Sequence, residues 1–371
     1  MSHSSPNTAH APHGHCFTAE RRWSARMELD FAVRQGRTAL AKMQFHGPLR
    51  VQRPFYPEAA PTAAPGRPQS SQPCHCCLLH PPGGLVSGDD LSLDVRLEQD
   101  AHALLTAPSA SKFYAADSHN VAQRQTNDLR VTGGVLEWLP RETIIYDGAR
   151  AEMRTSVELD AASACIGWEM VCLGRPAAGE SFTTGSVRQS LYVSRDGVPL
   201  LHELLRLEGG DALQRGACGL CGQPVAATLF AVGRGNHPDQ SGDSAGNGAD
   251  NGAGNGAGGG DTGQAERDLA ALEACCTALQ DMFSPANTFD DTPAGPKPAA
   301  TDVSVPVGSG PVSGLTGDRA GATVRGGVLI VRYLGPDMEE ARNLLLTAWN
   351  LLRPALIGCQ PHMPRIWYGA F

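Results

Sequence analysis

The feature that most constrains this chain is alternation. Residues 91–98, LSLDVRLE, set Leu91, Leu93, Val95 and Leu97 against Ser92, Asp94, Arg96 and Glu98 without a break. A period of two with one polar face belongs to a strand that buries one side and wets the other. ARMELDFAV repeats the pattern, with Met27, Leu29 and Phe31 on one face. LRVTGGVLEWLP, TSVELD, SVRQSLYVSR and LLHELLRLEGG read as further strands between Gly, Asp or Pro turns. No helical pattern separates them over the first 230 residues. The spacing predicts a mainly β body, arranged as a continuous antiparallel sheet and not as βαβ units. The 43 glycines and 27 prolines favour many turns over long helices.

Helices are expected only late. TGQAERDLAALEACCTALQDMF places Leu269, Leu272, Cys276, Leu279 and Phe283 near one stripe, with Thr262 as its cap. PDMEEARNLLLTAWNLLRP does the same with Met338, Ala341, Leu345, Ala348 and Leu352, and Pro354 is expected to stop it. GGVLIVRYLG between them reads as a strand. Residues 1–22, with His3, His10, His13, His15 and Cys16, read as a disordered polar tail whose histidines could catch divalent metals. A single β-rich domain follows over 23–371. It is interrupted by a Pro/Ala/Ser-rich insertion at 57–73 and a Gly/Asn/Asp-rich one at 234–263 with almost nothing to bury. A third soft stretch covers 284–321.

Composition excludes several classes. A net charge of −8 argues against a nucleic-acid partner. No apolar run approaches the roughly 18 residues of a membrane span, and the N-terminus lacks the charged-then-apolar layout of a secretory signal. Eleven cysteines without a small-domain framework point to free thiols in a reducing cytoplasm.

The loop LLHPPGGLVSGDDL, 78–91, is glycine-rich, but it leads into a strand with Asp89 and Asp90 at its mouth. A phosphate loop needs a lysine and a Ser/Thr at a helix start, and carboxylates there would repel phosphate. The loop is expected to be a tight turn. CHCCLLH, 74–80, brings Cys74, His75, Cys76, Cys77 and His80 close in sequence, and such thiolates and imidazoles suit Zn²⁺ or Ni²⁺. A β-rich metal-dependent hydrolase using Cys74, His75, Cys76 and His80 is the alternative this tract supports. Alternation in an extended strand works against it, pointing Cys74 and Cys76 to one face and His75 and Cys77 to the other. CGLC, 218–221, has no second pair and reads as a structural turn. Three carboxylates stand out: Asp89, Glu169 in CIGWEMVCL and Glu203 in LLHELL. Each emerges from apolar or glycine surroundings, where a carboxylate is unfavourable unless paired, hydrated or facing a cation. Together they suit a hydrated interior that passes a hard or borderline cation. A hydrolase would show paired carboxylates or a nucleophile with its base. Neither G-x-S-x-G nor H-E-x-x-H occurs.

Several longer motifs run in order from about Arg26 to Trp367: HGPLRVQRPFYPE, LLHPPGGLVSGD, KFY, LEWLPRETIIYDGA, GWE, CLGRPAAGE, LRPALIG and PRIW. Together they resemble the urease accessory protein family UreD, also called UreH. The resemblance implies a mainly β fold, a helical stack of β-strands with two α-helices toward the C-terminal end. It implies a non-enzymatic urease maturation factor, a scaffold and nickel conduit. Its partners would be a UreF-like protein, the UreG-like GTPase that this recruits, and apo-urease. On this reading no cofactor is tightly bound; Ni²⁺ passes transiently through a water-filled tunnel, for which Asp89, Glu169 and Glu203 are the candidates by motif. Ser109 and Ala115 depart from the Gly and Arg frequent at those places in the family.

Overall fold

The structure, a computed structural model, describes residues 21–59, 71–235, 262–284 and 319–369. The expected tail through residue 20, the middles of both insertions (60–70 and 236–261) and most of the soft stretch lie outside the described residues. Their edges are tied into the body. Arg21 Nε donates to the Ser87 carbonyl at 3.1 Å, Ser71 Oγ to the Asp100 carbonyl at 2.8 Å, and Gly235 N to the Ala161 carbonyl at 2.9 Å. Glu58, assigned from sequence to the first insertion, has a buried carboxylate bonded to Arg353 and His75.

The chain is mainly β. One sheet runs, in spatial order, β14 (Val198–Glu208), β13 (Ser186–Arg195), β11 (Arg150–Leu159), β8 (Gln123–Val131), β5 (Asp89–Leu97), β1 (Trp23–Arg34) and β2 (Arg37–His46). The other runs β16 (Ala320–Arg325), β17 (Val328–Gly335), β15 (Val225–Val232), β12 (Ala164–Leu173), β9 (Val135–Leu139), β6 (His102–Thr106), β4 (Cys74–Leu79) and β3 (Arg50–Val51). Two short strands, β7 (Ser111–Phe113) and β10 (Thr143–Ile145), pair beside β12.

The expectation of a continuous antiparallel sheet is overturned. From β4 to β13 the chain passes back and forth between the sheets, so β1, β5, β8, β11 and β13 are parallel neighbours in one. β4, β6, β9 and β12 are parallel neighbours in the other. Parallel pairing needs a crossover, commonly a helix. Here strands of the opposite sheet make it, and alternation reads the same whichever neighbour a strand takes. The winding accords with a helical stack. Antiparallel pairing is kept for the β1–β2 and β13–β14 hairpins, for β3 beside β4 and for the run β12, β15, β17, β16.

Alternating side chains of β12 feed two cores. Cys165, Val171 and Leu173 face the first sheet, while Ile166, Trp168, Met170 and Cys172 face the helices. A four-residue helix, α1 (Ala212–Arg215), precedes the two long ones, α2 (Thr262–Phe283) and α3 (Met338–Leu352). On α2 the buried stripe is Leu272, Cys275, Cys276, Leu279 and Phe283, and Leu269 is 40% exposed. α3 starts at Asp337, whose side chain accepts from Glu339 N at 2.6 Å, and it buries Leu344 and Trp349 besides Ala341, Leu345, Ala348 and Leu352. Pro354 does not stop the coil. Residues Arg353–Ile357 form a wider π-turn in which Gly358 N donates to the Arg353 carbonyl at 3.1 Å, five residues back. Widening the turn accommodates a residue without an N–H.

That turn aims Arg353 into the body. Its Nε donates to both Glu137 oxygens at 3.1 and 3.0 Å, and an Nη donates to Glu58 at 2.7 Å. Glu137 also accepts from Trp349 Nε1 and lies 2.7 Å from His102 Nε2. Burial would raise the pKa of Glu137, but the Arg353 charge and the His102 and Trp349 hydrogen bonds outweigh it and hold it at about 2. This network fastens α3 to β6 and β9.

Candidate functional site

Two cross-strand ladders of the first sheet point between the sheets. One runs Met27, Leu93, Asn127, Thr155, Leu191, Glu203; its neighbour runs Ala25, Leu91, Gln125, Met153, Gln189, Leu205. Both begin apolar and gain amides and a hydroxyl in the middle. A cavity of about 150 Å³ follows them, lined by Met27 at one end and by Gln189 and Glu169 at the other. From β1 to β13 is four strand spacings, so the lane is roughly 19 Å long. The volume admits several waters. His80 Nε2 and Trp138 Nε1 are buried on the lining with no hydrogen-bond partner among the described residues. Solvent in the lane would satisfy them. Burial lowers the pKa of His80, which favours the neutral imidazole.

Glu169 enters from β12, whose odd positions face the first sheet. Its carboxylate accepts from Gln189 Nε2 at 2.5 Å. Burial is the main cause raising its pKa; hydrogen bonds from Thr155 and Gln189 oppose this, and the charge of Glu203 adds to it. Glu203 ends the first ladder and accepts from Arg332 Nε of β17 at 2.8 Å and from an Arg332 Nη. The structure therefore brings Glu169 and Glu203 to the same end of the lane.

Asp89 is not there. It sits one inward position before Leu91 on β5, off the cavity lining, and Val86 N donates to its Oδ2 at 2.8 Å. Asp89 N in turn donates to the Val86 carbonyl at 3.0 Å, and Gly88 takes φ +86° where a Cβ would meet the Arg21 carbonyl at 2.8 Å. Burial raises the pKa of Asp89, offset in part by the Val86 N–H and Arg21. The loop is a tight turn that Asp89 closes on itself.

The four residues Cys74, His75, Cys76 and His80 are not assembled either. Cys74 and Cys76 share the inter-sheet face with sulfurs 3.9 Å apart. His75 points the other way to Glu58, and His80 lies on the cavity. Among the described residues no group of three or more His, Cys, Asp or Glu side chains is arranged to hold a metal ion. Strand alternation separates what sequence proximity joins. Cys218 and Cys221 are exposed in a hydrogen-bonded turn, with Cys221 N donating to the Gly216 carbonyl at 3.1 Å.

A family model described as UreD urease accessory protein matches residues 24–368. The chain belongs to this family. It is 38% identical over 357 residues to the urease accessory protein UreD of Chromohalobacter salexigens, covering 95% of this chain and 91% of the relative. It is 36% identical to that of Marinobacter nauticus, over 95% of each chain. With the protein of the same name from Pseudoalteromonas translucida it shares 35% identity over 97% of this chain and 95% of the other.

Sequence reading missed two parts of this candidate site in a UreD-family chain and one anchor of the fold beside it. The amides of the lane, Gln125, Asn127 and Gln189, sit on inward positions, and the register that reveals them comes only with the parallel pairing. Arg332 in LIVRYLG is an ordinary outward charge until β17 is set beside β15. The Glu137 network carries the same signal that singles out Glu169, a carboxylate inside an apolar run (LEWL), and was equally legible.

Proposed function

We propose that the chain is a non-enzymatic urease maturation factor that holds UreF-like and UreG-like proteins and apo-urease in one cytoplasmic assembly and passes Ni²⁺ to the urease. The observation that carries the conduit is the lane between the sheets, which runs from Met27 past Asn127 and Thr155 to the carboxylate of Glu169, with Glu203 beyond it. Amide, hydroxyl and carboxylate oxygens hold Ni²⁺ more weakly than thiolates or several imidazoles do, which suits cargo in transit and not a resident cofactor. His80 alone is an isolated imidazole on that path. Glu169 and Glu203 are the cation contacts on this reading; Asp89, engaged in its own turn, supports the loop that borders the lane. The test is co-purification with a UreF-like partner and apo-urease followed by an activation assay. The complex should form and yield nickel-loaded, active urease. Equal activation with the chain left out would overturn the reading.

A further inference from the structure

The cavity stops at Glu169 and Gln189: none of its lining residues comes from β14, β15 or β17. What lies past that end is an ion pair between the two sheets. Across the second sheet, Glu169, Thr228 and Arg332 stand in one row on β12, β15 and β17. Across the first, Thr155 leads through Leu191 to Glu203. Glu203 and Arg332 meet over the gap. Two strand spacings, roughly 10 Å, separate the backbones of Glu169 and Arg332.

We infer that Arg332 is a tethered counter-ion that closes the Glu169 end of the lane, and that a divalent cation passes there by displacing its guanidinium from Glu203. The inference rests on the conduit reading above. Three observations carry it. Glu203 and Glu169 are near enough for the charge of one to oppose ionisation of the other, and a shared dication relieves that repulsion. The Arg332 side chain is 53% exposed and Glu203 23%, so the pair is of the weak, water-screened kind. A dication has twice the Coulomb attraction of a guanidinium for the same carboxylate at equal distance. Finally, Arg332 has freedom to leave. Among the described residues Glu203 is its one hydrogen-bonding side chain, and Gly321, its neighbour on β16, leaves open space where a Cβ would stand.

The experiment is equilibrium dialysis of Ni²⁺ alone against the full chain in its purified complex, for wild type, Arg332→Gln, Arg332→Lys and the double variant Arg332→Gln/Glu203→Gln. Freed of its tether, Arg332→Gln should bind Ni²⁺ up to about fivefold more tightly, the value of an exposed ion pair. Arg332→Lys keeps the charge but loses the two-bond fork and should fall between. The double variant should lose the gain, which separates this site from any other that takes up nickel. Unchanged affinity in Arg332→Gln, or a gain that survives Glu203→Gln, overturns the inference. A parallel activation assay with Glu169→Leu separates the two claims. If that variant lowers nickel loading while Arg332→Gln binds as wild type does, the gate is wrong and the conduit stands. If Glu169→Leu loads nickel normally, the conduit reading itself has failed.

Discussion

Glu137 on β9 and Glu169 on β12 belong to adjacent strands of one sheet and to similar sequence settings, LEWL and WEMV, yet they meet opposite environments. Ile166 stands opposite Glu137 in the pairing, so Glu137 shares the helix-facing parity of Ile166 and Trp168, and Glu169 the other. One residue of parity decides the rest. Glu137 accepts from Arg353 and Trp349, pairs with His102, and its pKa falls to about 2. Glu169 has Gln189 and Thr155, faces a cavity, and its pKa rises. Burial alone therefore does not mark a functional carboxylate. What separates the two is how much of the charge the protein itself compensates: Glu137 is saturated and holds the fold, while Glu169 keeps lone pairs for something else.

The largest expected effect breaks the saturated side. Arg353→Leu strands Glu137 and Glu58 in the interior and should cost about 3–5 kcal/mol in urea denaturation. Adding Glu137→Gln to it should recover part of that loss, because the stranded charge is then removed; a double variant no better than the single one would argue against a charge-driven cost. The next effect is acid sensitivity. A carboxyl whose folded pKa is depressed gives stability that is complete above its unfolded value and is lost as pH falls through the folded one. For Glu137, between the ordinary 4.5 and about 2, this amounts to about 3 kcal/mol, lost progressively across that window. Denaturation midpoints against pH should show the loss in wild type and a flatter profile in Glu137→Gln.

On the Glu169 side the sign reverses. Its raised pKa gives stability that is present at low pH and lost as pH rises through the folded value. Glu169→Gln should therefore be as stable as wild type or gain up to about 1 kcal/mol at neutral pH, and the gain should vanish in acid. A loss of several kcal/mol would make Glu169 a second structural anchor and erase the contrast. No larger an effect is expected at Asp89. Asp89→Asn weakens a charged turn contact and should cost about 0.5–1 kcal/mol, with nickel loading of urease unchanged. Reduced loading at normal stability would put Asp89 back on the path.

Much of this was legible in the sequence, for reasons tied to periodicity. The alternation of Leu91 to Leu97 and the stripes of the two long helices depend on local geometry, and local geometry is what periodicity encodes. Strand partners are not local. Nothing in DDLSLDVRL says that β5 lies between β1 and β8, parallel to both, so the antiparallel expectation failed. The site divides in the same way. Glu169 and Glu203 were visible as charges out of place, but their meeting point depends on the ladder from Thr155 to Glu203 and on Arg332, more than a hundred residues away in the chain. The Cys74–His80 tract divides between faces as its alternation foretold, whereas Asp89, named by its motif, is engaged in a self-closing turn that the motif alone does not reveal.

The most direct test of the contrast is the nickel content of urease after activation, measured beside a pull-down of the assembled complex, for wild type, Glu169→Leu and Glu137→Gln. The account predicts that Glu169→Leu assembles the complex and leaves urease nickel-poor, whereas Glu137→Gln loads normal nickel per assembled complex. Normal loading by Glu169→Leu in an intact complex would contradict it, and the lane between the sheets would then be only a hydrated defect in the core.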